Sequence, residues 1–436
     1  MKPGERLFNR NFTLIFWAQN ISRLGSTAFS IAMLFWVKHE TGSATLIGIL
    51  MMVSSLPAIL AGPFGGTAAD RYSRRWIIVL SDTVRGIAVV ALALLFFFRP
   101  AQINTVVIGL FIVSTVINVI TVFFNPAISA AIPDIVPFEK LNAANSLGQI
   151  SYQLAMLIGN GVGGTLFRIL GAPLLFLING MGYLAAAFCE LFLRLPSVSA
   201  TAAQDEKITV RSYLRDTREG LGYLWKHTGL RDLVLISSFL NFFTVPVILL
   251  LAFYVEDTLH ASVDWYGFLV AAYGVGALLG YALAGVGRFS SGAVGTLMVA
   301  FMVLESFGHG LLGVVGNVWM ALGLAVLGGG FGGFVSVMLT TLLQKRTPKE
   351  IRGRIFGLLG AIAGAITPVA MGLSGVVADL TGQNIRLIYV VCGLAMTALS
   401  ISIVFNRPLR RFLNSTDDEL EPRDTPLRVI AEEGEH

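Results

Sequence analysis

The sequence predicts an all-α membrane protein of twelve transmembrane helices, arranged as two six-helix repeats with both termini in the cytoplasm. Three observations carry that expectation. Of 436 residues, 55% are hydrophobic, close to the ~240 residues that twelve spans of roughly 20 would use. Only 13% are charged, against about 25% in soluble domains, and the mean hydropathy is +0.74. Finally, Lys and Arg fall in alternate loops. With the N-terminus inside, the cytoplasmic loops and tails hold 25 of the 31, the outside loops hold only Lys38, Arg99, Arg168 and Arg386, and Arg23 and Arg85 lie within spans. That bias orients a polytopic chain. A soluble multidomain enzyme, a disordered chain and a disulfide-stapled domain are excluded.

The apolar runs follow in order. Six lie near residues 11–37, 44–69, 76–98, 103–131, 141–169 and 172–193. Six more lie near 233–255, 265–287, 293–314, 317–343, 353–378 and 384–405. The first is too long for a signal-peptide core and reads as a span. The expected division is therefore an N-terminal bundle over 1–193, a cytoplasmic linker over 194–232, a C-terminal bundle over 233–405 and a mobile tail over 406–436. In the linker, Tyr213, Leu214, Thr217, Leu221, Leu224 and Trp225 share one helical face. That face fits a short helix on the membrane surface or a plain solvated helix.

The two halves repeat each other. Gly48 is followed 18 residues on by Gly66 in span 2, as Gly267 is by Gly285 in span 8. Pro137-Phe138-Glu139 precedes span 5, and Pro348-Lys349-Glu350 precedes span 11. Parallel six-span repeats are a known plan among membrane transport proteins.

The net charge of +5 is explained by topogenic loops, so no nucleic-acid partner is expected. Cys189 and Cys392 lie in apolar runs and do not read as a disulfide. The sequence has no phosphate loop, no His-Glu-x-x-His and no nucleophile elbow. Nor does it space Cys and His as metal ligands do. No cofactor, metal or catalytic residue is expected.

After span 2 the chain reads Gly66-Thr67-Ala68-Ala69-Asp70-Arg71-Tyr72-Ser73-Arg74-Arg75. This tight cluster of both charge signs between two spans resembles the signature loop of the major facilitator superfamily, with Ser73 for the usual Gly and Arg75 for Lys. The resemblance implies that Asp70 docks on the start of span 11 near Gly353 and holds a cytoplasmic gate shut, with Arg71, Arg74 and Arg75 completing a charge relay. The second half keeps a remnant without the Asp, Gly285-Val286-Gly287-Arg288-Phe289-Ser290. In span 5, Ala155 to Gly164 resembles the antiporter motif through Gly159, Gly163 and Gly164, with Asn160 where the family has Pro. Its glycines allow close helix approach.

Further pieces resemble the macrolide-efflux-like branch of drug:proton antiporters. They include Ser22-Arg23-Leu24-Gly25, Thr41-Gly42-Ser43-Ala44, Ser81-Asp82-Thr83-Val84-Arg85, Asn125-Pro126-Ala127, Pro133-Asp134-Ile135-Val136-Pro137 and Gly353-Arg354-Ile355-Phe356. Siderophore exporters share much of this pattern. The resemblance implies a secondary transporter of the bacterial cell membrane. It would export a hydrophobic or amphiphilic, macrolide-like small molecule by alternating access, with the proton as coupling ion. Siderophore or lipid transport, or import, are alternatives on the same fold, and a membrane enzyme or receptor is the rival from another class.

Polar groups within the spans are the substrate or coupling candidates, because they are costly in lipid. Arg23 and Asn20 sit one turn apart in span 1, which the resemblance places on a central cavity with spans 4, 7 and 10. Arg23 reads equally as a structural cation. Asn118 and Asn125 share a face of span 4; Gln149, Gln153 and Asn160 run down span 5; Asn241 lies in span 7. They suit a hydrogen-bonding substrate or serve as interhelical glue. Asp82 and Arg85, three apart on span 3, read as a structural pair near the gate. Glu305 and His309, four apart on span 9, read as structural partners or a proton relay. Glu190 is expected at the membrane interface.

Overall fold

The computed structural model describes residues 7–99, 101–195, 222, 224–287, 291–346 and 349–414; no strand occurs among them. The helices are α1 (Arg10–Thr41), α2 (Ala44–Arg71), α3 (Arg74–Phe98), α4 (Ile103–Ile135), α5 (Leu141–Glu190), α6 (Thr228–Leu249), α7 (Asp264–Val286), α8 (Ser291–Leu312), α9 (Val318–Arg346), α10 (Lys349–Leu380), α11 (Ile385–Phe405) and α12 (Arg407–Asn414). Among the described residues, nine helices are long and apolar enough to cross a membrane. One of them is α5, which reverses at Gly171 (φ 70°), so residues 141–170 and 172–190 form two limbs. A left-handed residue is cheap only for glycine. The same economy places Gly42 (φ 63°) just after α1, its N–H on the Lys38 carbonyl. Most of the predicted linker helix lies outside the described residues, but Leu224 is buried in the C-terminal half. Residues 407–414 are not loose tail. They form α12, whose Leu409 and Leu413 are buried against the C-terminal half, so the packed chain runs to Asn414.

Outward faces are apolar. Leu60, Phe98, Ile169, Leu279, Phe405 and many similar residues are well exposed. A continuous exposed apolar belt of this kind is stable against lipid, not water. Prolines inside α4, α5, α6 and α10 are tolerated because neighbouring helices cover the freed backbone groups.

The interior packing differs between the two ends of the bundle. Arg10 begins α1 and Asn414 ends α12 at one end, the terminal end. At the far end a single apolar core joins both halves: Phe29, Phe35, Ile47 and Phe176 pack in one cluster with Leu250, Phe253, Tyr254, Ala378 and Tyr389. At the terminal end the core splits in two. Phe12, Ile15, Ile78, Phe124 and Leu193 form one cluster in the N-terminal half. Leu230, Met298, Phe334 and Ile403 form another in the C-terminal half. Among the described residues, the halves are thus welded through one shared core at the far end and keep separate cores at the terminal end.

Glycines make the weld close. A Cβ at Gly48 of α2 would overlap the Met371 carbonyl of α10, and one at Gly375 of α10 would overlap Ala44. On the other side, a Cβ at Gly164 of α5 would overlap the Val263 carbonyl, and one at Gly267 of α7 would overlap the Asn160 carbonyl. The Gly48/Gly267 repeat therefore has a physical reason. Each lets one half's helix lie backbone-to-backbone on the other half.

Candidate functional site

A cavity of about 1020 Å³ lies between α1, α4 and the first limb of α5, with Arg85 of α3 and Tyr183 completing its wall. That is at the upper end of the roughly 300–1,000 Å³ typical of ligand pockets. Along α1 it runs from Phe12 to Ser30, roughly 27 Å at 1.5 Å per residue. Its mouth is at the terminal end, where Asn125, Ser129, Asn145 and Gln149 are exposed. Six of the predicted polar residues meet in this one wall: Asn20, Arg23, Asn118, Asn125, Gln149 and Asn160. They share it with Phe12, Phe16, Ile117, Phe124, Tyr152 and Met156. Such a surface offers hydrogen bonds to an otherwise apolar guest.

Several of these groups are already tethered. Asn20 donates to the Phe16 carbonyl at 2.7 Å and accepts from the Ser151 hydroxyl, tying α1 to α5. Arg23 donates to the Gly148 carbonyl at 3.3 Å and lies over the Tyr152 ring at 5.7 Å. Asn118 and Asn160 each donate one turn back along their own helices, to Ser114 and Met156. Gln149 and Asn125 stand exposed at the mouth.

Asp82 and Arg85 meet at 3.0 Å. Arg85 reaches the cavity wall because α3 packs directly behind α4 and α5. Its guanidinium donates to Thr121 at 2.9 Å and lies over Phe124 at 4.3 Å. Asp82 accepts from Ser22 at 3.4 Å and is fully buried. Glu190, expected to face a membrane interface, is instead fully buried within the protein. The last turn of α5 tucks it beside Gln19 and within electrostatic reach of Asp82 and Arg85.

The other candidates lie elsewhere. Asn241 on α6 accepts from Thr367 at 3.1 Å, joining α6 to α10. Glu305 on α8 accepts from Tyr273 of α7 at 3.4 Å, in space that Gly332 of α9 leaves free. His309 has its Nδ1 without a partner among the described residues. Among the described residues that line the cavity none comes from α6 or α9, although the family resemblance implied spans 7 and 10 there; the described wall belongs to the N-terminal half.

In the loop after α2, Arg74 donates to the Ala130 carbonyl at 3.0 Å and pairs with Asp134 at 2.6 Å. Arg75 donates to the Leu191 carbonyl. Both arginines bind their own half together. Arg71 is exposed. Gly66 and Asp70 belong to α2 and Gly353 to α10, but the docking predicted for them lies outside the described side chains. In the antiporter-like motif, Gly159 and Gly163 admit Thr27 and Ile31 of α1, and Gly164 admits Val263.

The sequence reading missed the bonds that close the far end. Lys38, only 8% exposed, pairs with Glu256 at 2.6 Å and Asp257 at 3.0 Å across the two halves, and His39 meets Glu256 at 2.9 Å. A π-helical turn over Tyr254–Thr258 presents both carboxylates. Asp379, in the last turn of α10, accepts from Ser43 Oγ at 2.9 Å and from the Ala44 and Thr45 N–H groups at 3.1 and 2.9 Å. Asp264 accepts from Thr165 at 2.6 Å and pairs with Arg168 at 3.2 Å. The one available signal was Ser43 as a helix N-cap with several carboxylates in facing loops.

A polytopic helical bundle in two halves, joined at one end around a large polar-and-apolar cavity, defines a multi-pass membrane transporter. The chain matches the transmembrane secretion effector family, MFS_3, over residues 5–431, and it belongs to that family of major facilitator transporters, which are not enzymes. It is 25% identical to macrolide efflux protein A of Streptococcus pyogenes over 375 residues, covering 86% of this chain and 90% of that one. It is likewise 25% identical to the multidrug efflux pump Tap of Mycolicibacterium fortuitum over 408 residues, covering 91% and 96%. In fold it is similar to the nucleoside transporter NupG, with a TM-score of 0.70 at 13% identity over 90% of this chain and 98% of that one.

Proposed function

We propose that this chain is a proton-driven exporter of macrolide-like, hydrophobic or amphiphilic compounds. It has twelve spans, with both termini and the cavity mouth on the cytoplasmic side of a bacterial cell membrane. The observation that carries the reading is the weld at one end only. A cavity open at the terminal end and sealed at the far end by cross-half bonds is one of the two states that alternating access needs. The Lys and Arg distribution supports the orientation, the two kinked limbs of α5 support the span count, and the names of both efflux relatives support the direction and substrate class. In this reading Asn20, Arg23, Asn118, Asn125, Gln149 and Asn160 receive the substrate. Asp70 docks near Gly353 when the terminal end closes, while Asn241 and Glu305 hold the C-terminal half together.

The test is accumulation of labelled erythromycin in a pump-deficient bacterial host expressing the chain, with and without a protonophore. Lowered accumulation that the protonophore restores is expected. Unchanged accumulation, with the protein in the membrane, would turn the search to siderophores and lipids. Asp70→Asn should abolish most efflux at normal protein level. Arg23→Ala should cost more efflux than Glu305→Gln, because only Arg23 stands on the cavity wall.

A further inference from the structure

The N-terminal half buries more negative than positive charge beside the cavity. Asp82 and Glu190 are both fully buried, and Arg85 is 4% exposed. Arg85 spends its Nη1 on Asp82 and its Nη2 on Thr121. Neither oxygen of Glu190 has a hydrogen-bond partner among the described residues. The charged groups acting on Glu190 are Asp82 and Arg85 from α3. Also on α3, Arg75 donates to the Leu191 carbonyl just beyond Glu190, while α1 presents only the neutral Gln19 and Ser22, and α5 itself adds Tyr183, bonded to Ser26. Two carboxyl groups thus share one nearby guanidinium. A buried carboxylate with no cation of its own is costly to ionise.

We propose that Glu190, with Asp82 and Arg85, is the proton-binding site of this transporter and holds one exchangeable proton. The proposal rests on the reading of the chain as a gradient-driven exporter and names the group that carries the proton. The reaction is a bare transfer: a carboxylate oxygen of Glu190 takes a proton from water and later returns it to water, with no other bond made or broken. Gln19 and Ser22 form both the cavity wall and the near neighbours of Glu190 and Asp82, so they are the thin partition through which the proton leaves to the present cavity. Arg85 faces the cavity as well as Asp82. A guest that draws the guanidinium away from Asp82 changes which carboxyl it balances, which links substrate to proton.

The site is read directly by infrared difference spectroscopy of the purified full chain between acidic and alkaline pH. Among the carbonyl bands of protonated carboxylic acids in the wild type, one is expected to belong to Glu190, and Glu190→Gln to lose that one while the band of Glu305, on α8, stays. Asp82→Asn gives a second, sharper arm. With one carboxyl left to one guanidinium, Glu190 should ionise, so its band should vanish although Glu190 is still present. Persistence of that band in either variant overturns the proposal, and the Asp82→Asn arm decides it even if Glu190→Gln does not fold. In cells, Glu190→Gln should lower protonophore-sensitive erythromycin efflux at least tenfold at normal protein level, and wild-type efflux in that variant would also overturn it. Failure of the wild type to export erythromycin would sink the efflux reading alone, because the infrared result needs no substrate.

Discussion

Two seams join the halves at the far end, α2 against α10 and α5 against α7, and they are built alike but latched differently. Each closes through glycines, Gly48 with Gly375 in one and Gly164 with Gly267 in the other. Each ends in an aspartate. In the first seam, Asp379 lies at the C-terminal end of α10 and takes two backbone N–H groups and a hydroxyl from the first turn of α2. A carboxylate is favoured at a helix N-terminus and disfavoured at a C-terminus. Asp379 is therefore comfortable only while α2 is docked on it. In the second seam, Asp264 opens α7 itself, so it keeps its own helix dipole whether or not α5 is near. Its partners are the Thr165 hydroxyl and Arg168, whose side chain is 58% exposed. The difference teaches that backbone packing sets where the halves can meet, while the α2/α10 latch sets how strongly the far end stays shut.

The largest expected effect tests what the seams share. Gly375→Ala and Gly267→Ala each put a methyl group into a facing carbonyl, and neither neighbour is a flexible side chain. Overpacking of this kind costs about 1–3 kcal/mol or more, so erythromycin efflux should fall by about tenfold or more in both. Normal efflux in either would break the likeness of the seams.

The next effect tests where they differ. Asp379→Asn removes the charge from hydrogen bonds worth about 1.5–3 kcal/mol each when one partner is ionised. The far-end-open population should rise about tenfold or more, read as labelling of a cavity cysteine from outside the cell. Asp264→Asn should raise it only about two- to threefold, because the charge lost is also stabilised by its own helix at about 0.3–1 kcal/mol. Smallest is Arg168→Ala, within about twofold, as befits an exposed ion pair. An Asp264 variant as open as the Asp379 variant would erase the distinction between the seams.

Much of this architecture was legible in the sequence, because a membrane span declares itself by length and apolarity alone. The reversal at Gly171 falls between the runs 141–169 and 172–193. The cavity residues were legible singly: Asn20, Arg23, Asn118, Asn125, Gln149 and Asn160 are conspicuous as polar groups in apolar helices. Their convergence was not, since it depends on how α1, α4 and α5 are rotated about their axes. Glu190 was misplaced for a related reason. Its position near a span end says interface, but its side chain is turned into the bundle beside Gln19 and fully buried. The far-end latch was invisible because Lys38 and Glu256 are more than 200 residues apart, and a loop carboxylate looks the same whether it faces water or another helix.

The most direct test of the account labels a single cysteine in the cavity from each side of the membrane. Asn125→Cys, with Cys189 and Cys392 replaced, places a thiol at the exposed mouth of the cavity. A membrane-impermeant maleimide is then added to inside-out vesicles and to whole cells. The account predicts rapid labelling in the vesicles, slow labelling in the cells, and a rise of about tenfold or more in the cells when Asp379→Asn is added. Equal labelling from both sides in the parent, or labelling from outside alone, would contradict it.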